Sequence, residues 1–308
     1  MVLLWGLPED NPLERVANQL SRLHESVAWV NQQETQALRI EVEMESDRGG
    51  SLHLPGGKID LAEIHGGYLR PYDFRTLERG RRLRPGDAAF QRWLAFEESM
   101  RLWAESTHAI VLNRFSAMIS NGSKPFQSEI IQQYGFATPE TLITSDPDAA
   151  LSFWEEHGSV VYKSMSGQRS IVACLKAEDR ARLPKVSRCP THFQEWVAGT
   201  DYRVHVVGDQ VFPCRIRSTS YDYRYDPDTV LEAADIPDAV AERCYRLTRG
   251  LGLELSGVDL RETPEKEWYC FEVNPSPGFP YYEDGTGSPI GAAIASLLTS
   301  RRIPSNRM

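Results

Sequence analysis

The chain has 308 residues, of which 41% are hydrophobic and 25% are charged, and its formal net charge at pH 7 is −9. This length and apolar fraction predict two or three packed subdomains, and the acidic balance argues against a general binder of nucleic acids or anionic membranes. No apolar run approaches the roughly 20 residues that span a bilayer, and the first residues lack the basic segment of a signal peptide.

The five cysteines are scattered along the chain, are odd in number and form no C-x-x-C pair: Cys174, Cys189, Cys214, Cys244 and Cys270. This usage is typical of reduced thiols, and it disfavours disulfides and a zinc site. The seven histidines also lack ligand spacing. We therefore expect a cytoplasmic protein.

The first third of the chain alternates short apolar runs with helical patterns. A strand is predicted at residues 2–5, and a helix from Asn11 to about His24, with Asn11 as its N-cap and Pro12 at its first position. Further strands are predicted at 27–30, 38–44, 51–54, 59–61 and 64–69. The aromatic residues of 90–105 recur at helical spacing, which predicts a core-facing helix rather than a cofactor site.

The end of the strand at 64–69 offers two charged residues, Arg70 and Asp73. Loops after strand ends of an open α/β sheet commonly carry ligand contacts, so both are substrate-site candidates. A turn-stabilising ion pair is the alternative. The basic run from Arg79 to Arg84 is interpreted first as a solvated loop, and as a contact for an acidic substrate second.

A lysine begins the helix predicted after the strand at 109–112. Ser123 is the expected cap of that helix, Lys124 its first residue, and Gly135 the left-handed residue that closes it. A cation at a helix start opposes the helix dipole, which makes Lys124 a functional candidate. Asp146 is expected to cap the next helix, which Gly158 ends.

A second lysine, Lys163, ends the strand from Ser159 and is followed by a loop of small residues up to Ser170. Backbone N–H groups of such a loop, around Ser166 and Gly167, can cradle phosphate oxygens while the lysine supplies a positive charge. The alternative is a plain hairpin connection.

A predicted hairpin at 204–212 turns at Gly208–Asp209 and carries Arg203, Arg215 and Arg217 on its strands. A two-residue loop would place Arg203 opposite Cys214, and a three-residue loop would place it opposite Arg215, so the sequence leaves their shared face open. Arginines on one sheet face would repel each other unless they bind anions, which makes all three candidates for clamping a phosphate or an acyl phosphate.

The most informative stretch is a second hairpin, with strands predicted at 255–262 and 267–273 and the loop Thr263–Lys266. If Glu262 pairs with Glu267, Asp259 lies opposite Cys270 and diagonal to Glu272, about 7–8 Å away and within reach of a shared cation. Asn274 shares the face of Glu272 because side chains alternate along a strand. Two carboxylates and an amide oxygen are hard ligands that suit Mg²⁺.

Asp259 followed by Glu272-x-Asn274 resembles the magnesium signature of ATP-grasp ligases, and the tail from Phe271 to Ile290 resembles their peptide-ligase branch, which includes RimK-type glutamate ligases and microviridin-type macrocyclising enzymes. The resemblance covers roughly residues 109–300. It implies an α/β protein with α+β lobes, the ATP-grasp fold behind an N-terminal pre-ATP-grasp domain. The implied domains are 1–115, a central lobe at 116–192 and a metal-binding lobe at 193–308.

The resemblance also implies roles for individual residues. Lys124 and Lys163 would contact nucleotide phosphates, the backbone of Glu195, Trp196 and Val197 would bind the adenine edge, and Asp201 would hold the ribose. The implied ligands are ATP and Mg²⁺, with Mn²⁺ as an alternative ion.

The implied activity is ATP-dependent ligation of a carboxylate to an amine, or to a hydroxyl, through an acyl phosphate. The alternatives are a phosphotransferase of the same fold and a nucleotide-binding regulatory module without turnover. Many macrocyclising ligases carry a Gln and a Trp after the Asn-Pro pair, where this chain has Ser276–Phe279, so the substrate stays open between a peptide and a small amino-acid-like molecule. The oligomeric state stays open as well, homo-oligomers included.

Overall fold

The computed structural model describes residues 1–34, 37–43, 49–164, 172–220 and 223–300. The strands in these ranges are β1 (Val2–Gly6), β2 (Val27–Asn31), β3 (Arg39–Val42), β4 (Gly50–Leu54), β5 (Gly57–Asp60), β6 (Gly66–Leu69), β7 (Ile110–Leu112), β8 (Thr141–Thr144), β9 (Val160–Ser164), β10 (Ala173–Cys174), β11 (Thr191–Glu195), β12 (Thr200–Val207), β13 (Gln210–Arg217), β14 (Val230–Ala233), β15 (Leu255–Glu262) and β16 (Trp268–Asn274). The α-helices are α1 (Asn11–Arg22), α2 (Ala88–Ser106), α3 (Lys124–Gln133), α4 (Pro147–His157), α5 (Asp238–Gly250), α6 (Pro280–Thr286) and α7 (Ile290–Thr299). None of these helices combines the length and apolar character that a membrane span requires.

The first sheet is parallel, in the order β2-β1-β6-β7. Both of its faces are buried, which explains the continuous apolar run of β1. Val2 and Leu4 pack in one core with α1 and α7, whereas Leu3 and Trp5 pack in a second core with α2. The small antiparallel sheet β3-β4-β5 adds to the second core.

The cap of α1 lies one residue before the predicted one. Asp10, in an extended conformation, accepts a hydrogen bond from the Leu13 amide at 3.2 Å, and Asn11 is the first helical residue. The prediction of Asn11 as N-cap was therefore wrong, because Asp10, an equally good capping residue one position earlier, already accepts from the orphan amide.

The second sheet has the order β10-β9-β11-β8, and α4 packs against it through Ala150. The predicted ends of the flanking helices are confirmed: Asp146 caps α4, and Gly135 and Gly158 take positive φ values of 83° and 67° after α3 and α4. Ser123 does occupy the N-cap position of α3, although its side chain makes no capping hydrogen bond.

The third sheet is antiparallel, in the order β14-β13-β12-β15-β16. Its core-facing side packs on α3 and α5, with Val204, Val206 and Val258 at the centre. The helix α5 ends at Gly250, and the left-handed residue that follows it is Gly252, with φ at 75°. The opposite side of this sheet carries the polar residues of the candidate site.

Candidate active site

The hairpin of β15 and β16 forms with a register one residue away from the predicted one. Glu262 pairs with Trp268 rather than with Glu267, and Leu260 pairs with Cys270. Five residues separate Glu262 from Trp268, one more than predicted. Within this turn the Thr263 amide donates to the Glu267 carbonyl at 2.9 Å, and Lys266 adopts a left-handed φ of 69°. A regular ladder in this register would place Asp259 opposite Phe271.

A β-bulge places the carboxylate of Glu272 on the same face as Asp259. The register shifts between Asp259 and Leu260, so that Phe271 is the extra residue and Asp259 pairs directly with Glu272. Directly opposed side chains lie about 5 Å apart at Cβ, closer than the diagonal pair that the sequence predicted. Bulges commonly re-aim a side chain next to an active site, and here the bulge brings two acids onto one face.

Each of the two carboxylates has a cationic partner. Asp259 Oδ1 accepts a hydrogen bond from Arg203 Nη1 at 2.5 Å, and Glu272 Oε1 lies 2.5 Å from Lys124 Nζ. The Arg203 side chain is only 6% exposed, whereas the two carboxylates are each about one-third exposed. The two carboxylates are thus partly accessible, Arg203 is buried, and Lys124 is exposed to about the same degree as the carboxylates.

The pKa values of the pair move in opposite directions. Burial raises the pKa of Asp259; Arg203 opposes this shift and the negative charge of Glu272 adds to it. Burial alone would also raise the pKa of Glu272, but the positive charges of Lys124, Arg203 and Lys163 outweigh it, and the pKa lies below its usual value. Glu272 is therefore ionised at neutral pH.

Asn274 lies across from Gly257 at the end of the same strand pair, and its Oδ1 accepts from the Ser276 amide at 2.9 Å. Among the described residues no group of three or more His, Cys, Asp or Glu side chains is arranged to hold a metal. The donor set here is two carboxylates and one amide oxygen, which are hard oxygen ligands of the kind that Mg²⁺ takes alongside water and phosphate. The residues present therefore fit a magnesium ion.

The three predicted arginines do not share a face. The loop at Gly208–Asp209 has two residues, so Arg203 pairs with Cys214, and Tyr202 pairs with Arg215. Alternation along the strand then puts Arg215 and Arg217 on the face opposite Arg203. Both bind Glu232, with N–O distances of 2.8 and 3.0 Å. The structure brings only Arg203 of these three together with the acids.

Lys163 lies on β9, directly across from His192 on β11. Burial, with the positive charges of Lys163 and Lys124, lowers the pKa of His192 to about 4, so its ring is neutral at pH 7. The positive charge of Lys163 also helps to lower the pKa of Glu272. The two predicted lysines therefore act on the same region, while Ser166 and Gly167 lie outside the described residues.

The segment predicted to bind an adenine edge follows β11 and is held by internal contacts. The Glu195 side chain accepts from the Glu140 amide at 2.9 Å, and the Trp196 amide donates to Ser159 at 2.9 Å. The Val197 carbonyl accepts from Arg261 Nη1 at 2.7 Å.

Arg261 also binds Asp201, the predicted ribose ligand. Its Nε and Nη2 donate to the two Asp201 oxygens at 2.7 and 2.9 Å, and its guanidinium lies 4.3 Å from the Trp196 ring centroid. Arg261 is two residues from Asp259 on β15, so one strand carries both the first carboxylate and the residue that contacts the segment Glu195–Val197.

Arg70 and Asp73 do not form the ion pair that the sequence left open. Arg70 binds Asp10 and the loop after Asn274, where its Nη1 donates to Ser276 Oγ at 2.8 Å. Asp73 instead caps a short 3₁₀ turn and pairs with Arg75.

Comparison with known proteins agrees with this geometry. A family model described as the RimK-like ATP-grasp domain matches residues 123–298. The chain belongs to the RimK-like ATP-grasp family. The predicted resemblance and the predicted fold, mixed helices and sheets in the ATP-grasp arrangement, are thereby confirmed.

Among curated relatives, a probable alpha-L-glutamate ligase of Rhodopirellula baltica is 26% identical over 200 residues, which are 60% of this chain and 49% of that protein. The chain thus spans about half the length of that relative. A solved structure of the ATP-grasp ligase PsnB, complexed with a phosphomimetic variant of its minimal precursor, Mg and ADP, has a TM-score of 0.80 and 25% identity, over 96% of this chain and 97% of that one. The macrocyclase MdnC of Microcystis aeruginosa, bound to its precursor peptide MdnA, shares the fold with a TM-score of 0.76 and 22% identity, over 97% of this chain and 99% of that one.

Three residues that position the site of this ATP-grasp protein were missed by the sequence analysis. Gly257 lies under the Arg203 guanidinium, since a Cβ there would be 2.3 Å from Arg203 Nη2. Gln127 exchanges two hydrogen bonds of 3.0 Å with the Val273 backbone, and Arg261 donates to the Val197 carbonyl. A glycine inside a strand marks a close approach, so Gly257 carried a signal that could have been used. Alternation from Asp259 likewise places Arg261 on the site face.

Proposed function

We propose that the chain is an ATP-dependent ligase that joins a carboxylate to an amine, or to a hydroxyl, of a peptide or an amino-acid-like substrate. A carboxylate oxygen of the substrate attacks the γ-phosphorus of ATP, the bond to the bridging oxygen breaks, and ADP leaves. The amine then attacks the acyl carbon of the acyl phosphate, the C–O bond to phosphate breaks, and the amine loses a proton. The products are an amide or ester, ADP and phosphate.

The observation that carries the proposal is the direct pairing of Asp259 and Glu272 between Arg203 and Lys124. Two like charges 4 Å apart repel by about 4 kcal/mol at an effective dielectric near 20. Such a pair is stable on one face only with cations beside it, and it suits a ligand that brings a further cation. A purely structural hairpin has no need for this arrangement.

Asp259, Glu272 and Asn274 would hold the metal, Mg²⁺ with Mn²⁺ as an alternative. When bound, the ion neutralises phosphate charge and so stabilises the transfer of the γ-phosphoryl group. The chain's own lysines serve the same end, with Lys124 and Lys163 as phosphate ligands. Positioning and electrostatic stabilisation are the main contributions a protein makes to such a transfer, and neither needs a protein nucleophile.

In the proposed complex, Arg203 stabilises the negative charge of the acyl phosphate, because it is the arginine that lies with the acids. Arg215 and Arg217, which lie on the opposite face and bind Glu232, have no part in this mechanism. The nucleotide base would lie against the segment Glu195–Val197, and the ribose against Asp201. The Trp196 N–H and the Val197 carbonyl already have partners, so neither would be the group that hydrogen-bonds the base.

The proposed lobes are 1–115, 116–192 and 193–308, with the nucleotide between the second and the third. The matched family region, residues 123–298, supports the last two. The relatives named as glutamate ligases and the peptide-bound ligases of the same fold support an amino-acid or peptide substrate.

Trapping with hydroxylamine tests the ligase proposal. A panel of amino acids and short peptides is incubated with ATP and Mg²⁺, and hydroxylamine is added. We expect a hydroxamate of the accepted carboxylate, together with ADP and phosphate in equal amounts, because an acyl phosphate reacts with this nucleophile. A stably phosphorylated substrate that hydroxylamine leaves unchanged would instead identify a phosphotransferase.

A further inference from the structure

A buried histidine lies beside the two lysines of the candidate site and has no part in the function proposed above. His192, on β11, pairs directly with Lys163 on β9, so the two side chains stand about 5 Å apart at Cβ on one face of the second sheet. The next residue, Phe193, packs in the core with Ala150 of α4. Alternation along the strand therefore turns His192 and Lys163 away from that core.

This face of the second sheet lies toward the acids of the third. Lys124 Nζ is 2.5 Å from Glu272 Oε1, and the charges of Lys124 and Lys163 act both on the His192 ring and on the Glu272 carboxylate. The residue that β8 places opposite His192 is Ile143, which carries no charge. An anion bound by both lysines would therefore lie beside the His192 ring.

The ring is buried and lacks a hydrogen-bond partner at one nitrogen. His192 is 4% exposed, and its Nε2 accepts from or donates to no atom of the described residues. Leaving a buried polar atom unpaired destabilises a folded protein, so each such atom in a native structure calls for a reason, a catalytic role or a bound ion among them. This nitrogen is thus a group that a ligand would satisfy.

The charge state of the ring decides which ligand suits it. Burial and the two lysine charges lower the pKa of His192 to about 4, so the ring is neutral at pH 7 and carries one N–H. An apolar side chain of similar size would fill the same space without an unpaired nitrogen, which makes packing a poor reason for a histidine here. A neutral donor beside two ammonium groups matches an anion that offers several acceptor oxygens.

We propose that His192 is a ligand of the nucleotide phosphates, with its Nε2–H donating to a phosphate oxygen that Lys163 and Lys124 also bind. The inference rests on the proposed function, because it takes the anion to be the triphosphate of ATP. The two lysines are point charges on flexible stems, whereas a buried ring on a strand is a donor of fixed direction. The histidine therefore orients the phosphate chain that the lysines attract.

Calorimetric titration of the full chain with ATP and Mg²⁺ tests this proposal. His192→Leu removes the donor and keeps a side chain of similar size, whereas His192→Gln keeps an N–H donor. We expect His192→Leu to weaken ATP binding about tenfold, the loss of one hydrogen bond to a charged acceptor, and His192→Gln to weaken it less. His108→Leu, at an exposed histidine before β7, is the matched control and should bind ATP as the wild type does.

Two further measurements separate a phosphate ligand from a residue that contacts the base or only packs. Inorganic tripolyphosphate competes for the phosphate site without a base, so its inhibition constant should rise in His192→Leu by the same factor as the Kd of ATP. The nucleotide-free His192→Leu protein should unfold at a higher urea concentration than the wild type, since the substitution removes an unpaired buried nitrogen. Tighter folding with weaker phosphate binding is a combination that a packing role does not produce.

The inference is overturned if His192→Leu binds ATP as tightly as the wild type, or if the Leu and Gln variants lose the same affinity. It is also overturned if tripolyphosphate fails to compete with ATP for the wild-type chain at about 10 mM, or if His192→Leu lowers the urea midpoint. Hydroxamate formation by the wild-type chain separately decides the proposed function. Wild-type hydroxamate formation with an unchanged ATP affinity in His192→Leu would thus contradict this inference alone.

Discussion

Arg203 owes its position to a neighbour without a side chain. Its guanidinium lies over Gly257 on the adjacent strand, which leaves Nη1 free to reach Asp259 at 2.5 Å. The ring of Tyr282 stands 5.6 Å from the guanidinium carbon. His205, two residues along the same strand, is fully buried, and burial with the charge of Arg203 places its pKa well below the usual value. A neutral His205 adds no second charge that would compete for Asp259.

Gly257→Ala should therefore act on Arg203 alone. The new methyl group would lie 2.3 Å from Nη2, 2.5 Å from Cζ and 2.6 Å from Nε, so the buried guanidinium would be displaced from its place beside Asp259. We expect ATP turnover to fall by about 10²–10³, as when an electrostatic partner of a transition state is removed. The measurement is kcat from phosphate release.

Gly56→Ala is the control for this variant, because a Cβ at Gly56 would meet no atom within 4 Å. Its turnover should equal that of the wild type. If Gly257→Ala keeps full turnover, Arg203 does not need its place beside Asp259, and its assigned part in the reaction is wrong.

At the scale of elements, the strand β16 depends on a helix for its outer edge. It is the last strand of its sheet, and the Gln127 side chain on α3 pairs with the N–H and the C=O of Val273 as a neighbouring strand would. Lys124, one turn before Gln127, is thereby held against Glu272. The helix thus both closes the sheet edge and supplies the charge of the site.

Gln127→Ala tests both roles of α3, the closing of the sheet edge and the placement of Lys124. It leaves two buried backbone groups unpaired, at a cost of about 1–3 kcal/mol each. It also loosens the placement of Lys124, so we expect KM for ATP to rise about tenfold with a smaller change in kcat. Steady-state kinetics and urea unfolding measure the two effects.

Gln133→Ala, at an exposed position of the same helix, should change neither quantity. A Gln127→Ala protein that loses stability yet binds ATP as the wild type does would show that α3 does not position Lys124.

The hairpin also shows how far sequence reasoning reaches. Alternation and strand length predicted both strands within a residue, and the acid pair was assigned to one face. The register was wrong by one position because five residues, not the predicted four, separate Glu262 from the residue it pairs with, and the bulge at Phe271 then restored the face. Turn length and bulges depend on contacts with other elements, such as Gln127 with Val273, which a single strand pattern does not contain. The same limit left the face of Arg203 open until the loop at Gly208–Asp209 was known to have two residues.

At the scale of the whole molecule, the first and third sheets are joined in two ways. Val2 and Leu4 share one core with Ile294 and Leu298 of α7, and the same core includes Leu255 at the start of β15. Asn113, at the end of β7, donates to the carbonyls of Leu255 and Pro275 at 2.7 and 2.6 Å and is 2% exposed. Both ends of the hairpin of β15 and β16 are thus tied to the parallel sheet.

This shared core predicts that the first, parallel sheet and the third, antiparallel sheet unfold together. Ile294→Ala removes a fully buried side chain from the common core, so it should lower the free energy of unfolding by about 2–5 kcal/mol. Ile119→Ala, at a position that is 71% exposed, should change it by less than about 0.5 kcal/mol. Single-tryptophan variants that retain either Trp5, in the parallel sheet, or Trp268, in the antiparallel sheet, report the two parts separately. If the shared core couples the sheets, both probes shift to the same lower urea midpoint in Ile294→Ala. If the Trp5 signal shifts while the Trp268 signal stays at its wild-type midpoint, the two sheets unfold independently, and a boundary near residue 115 separates domains that fold on their own.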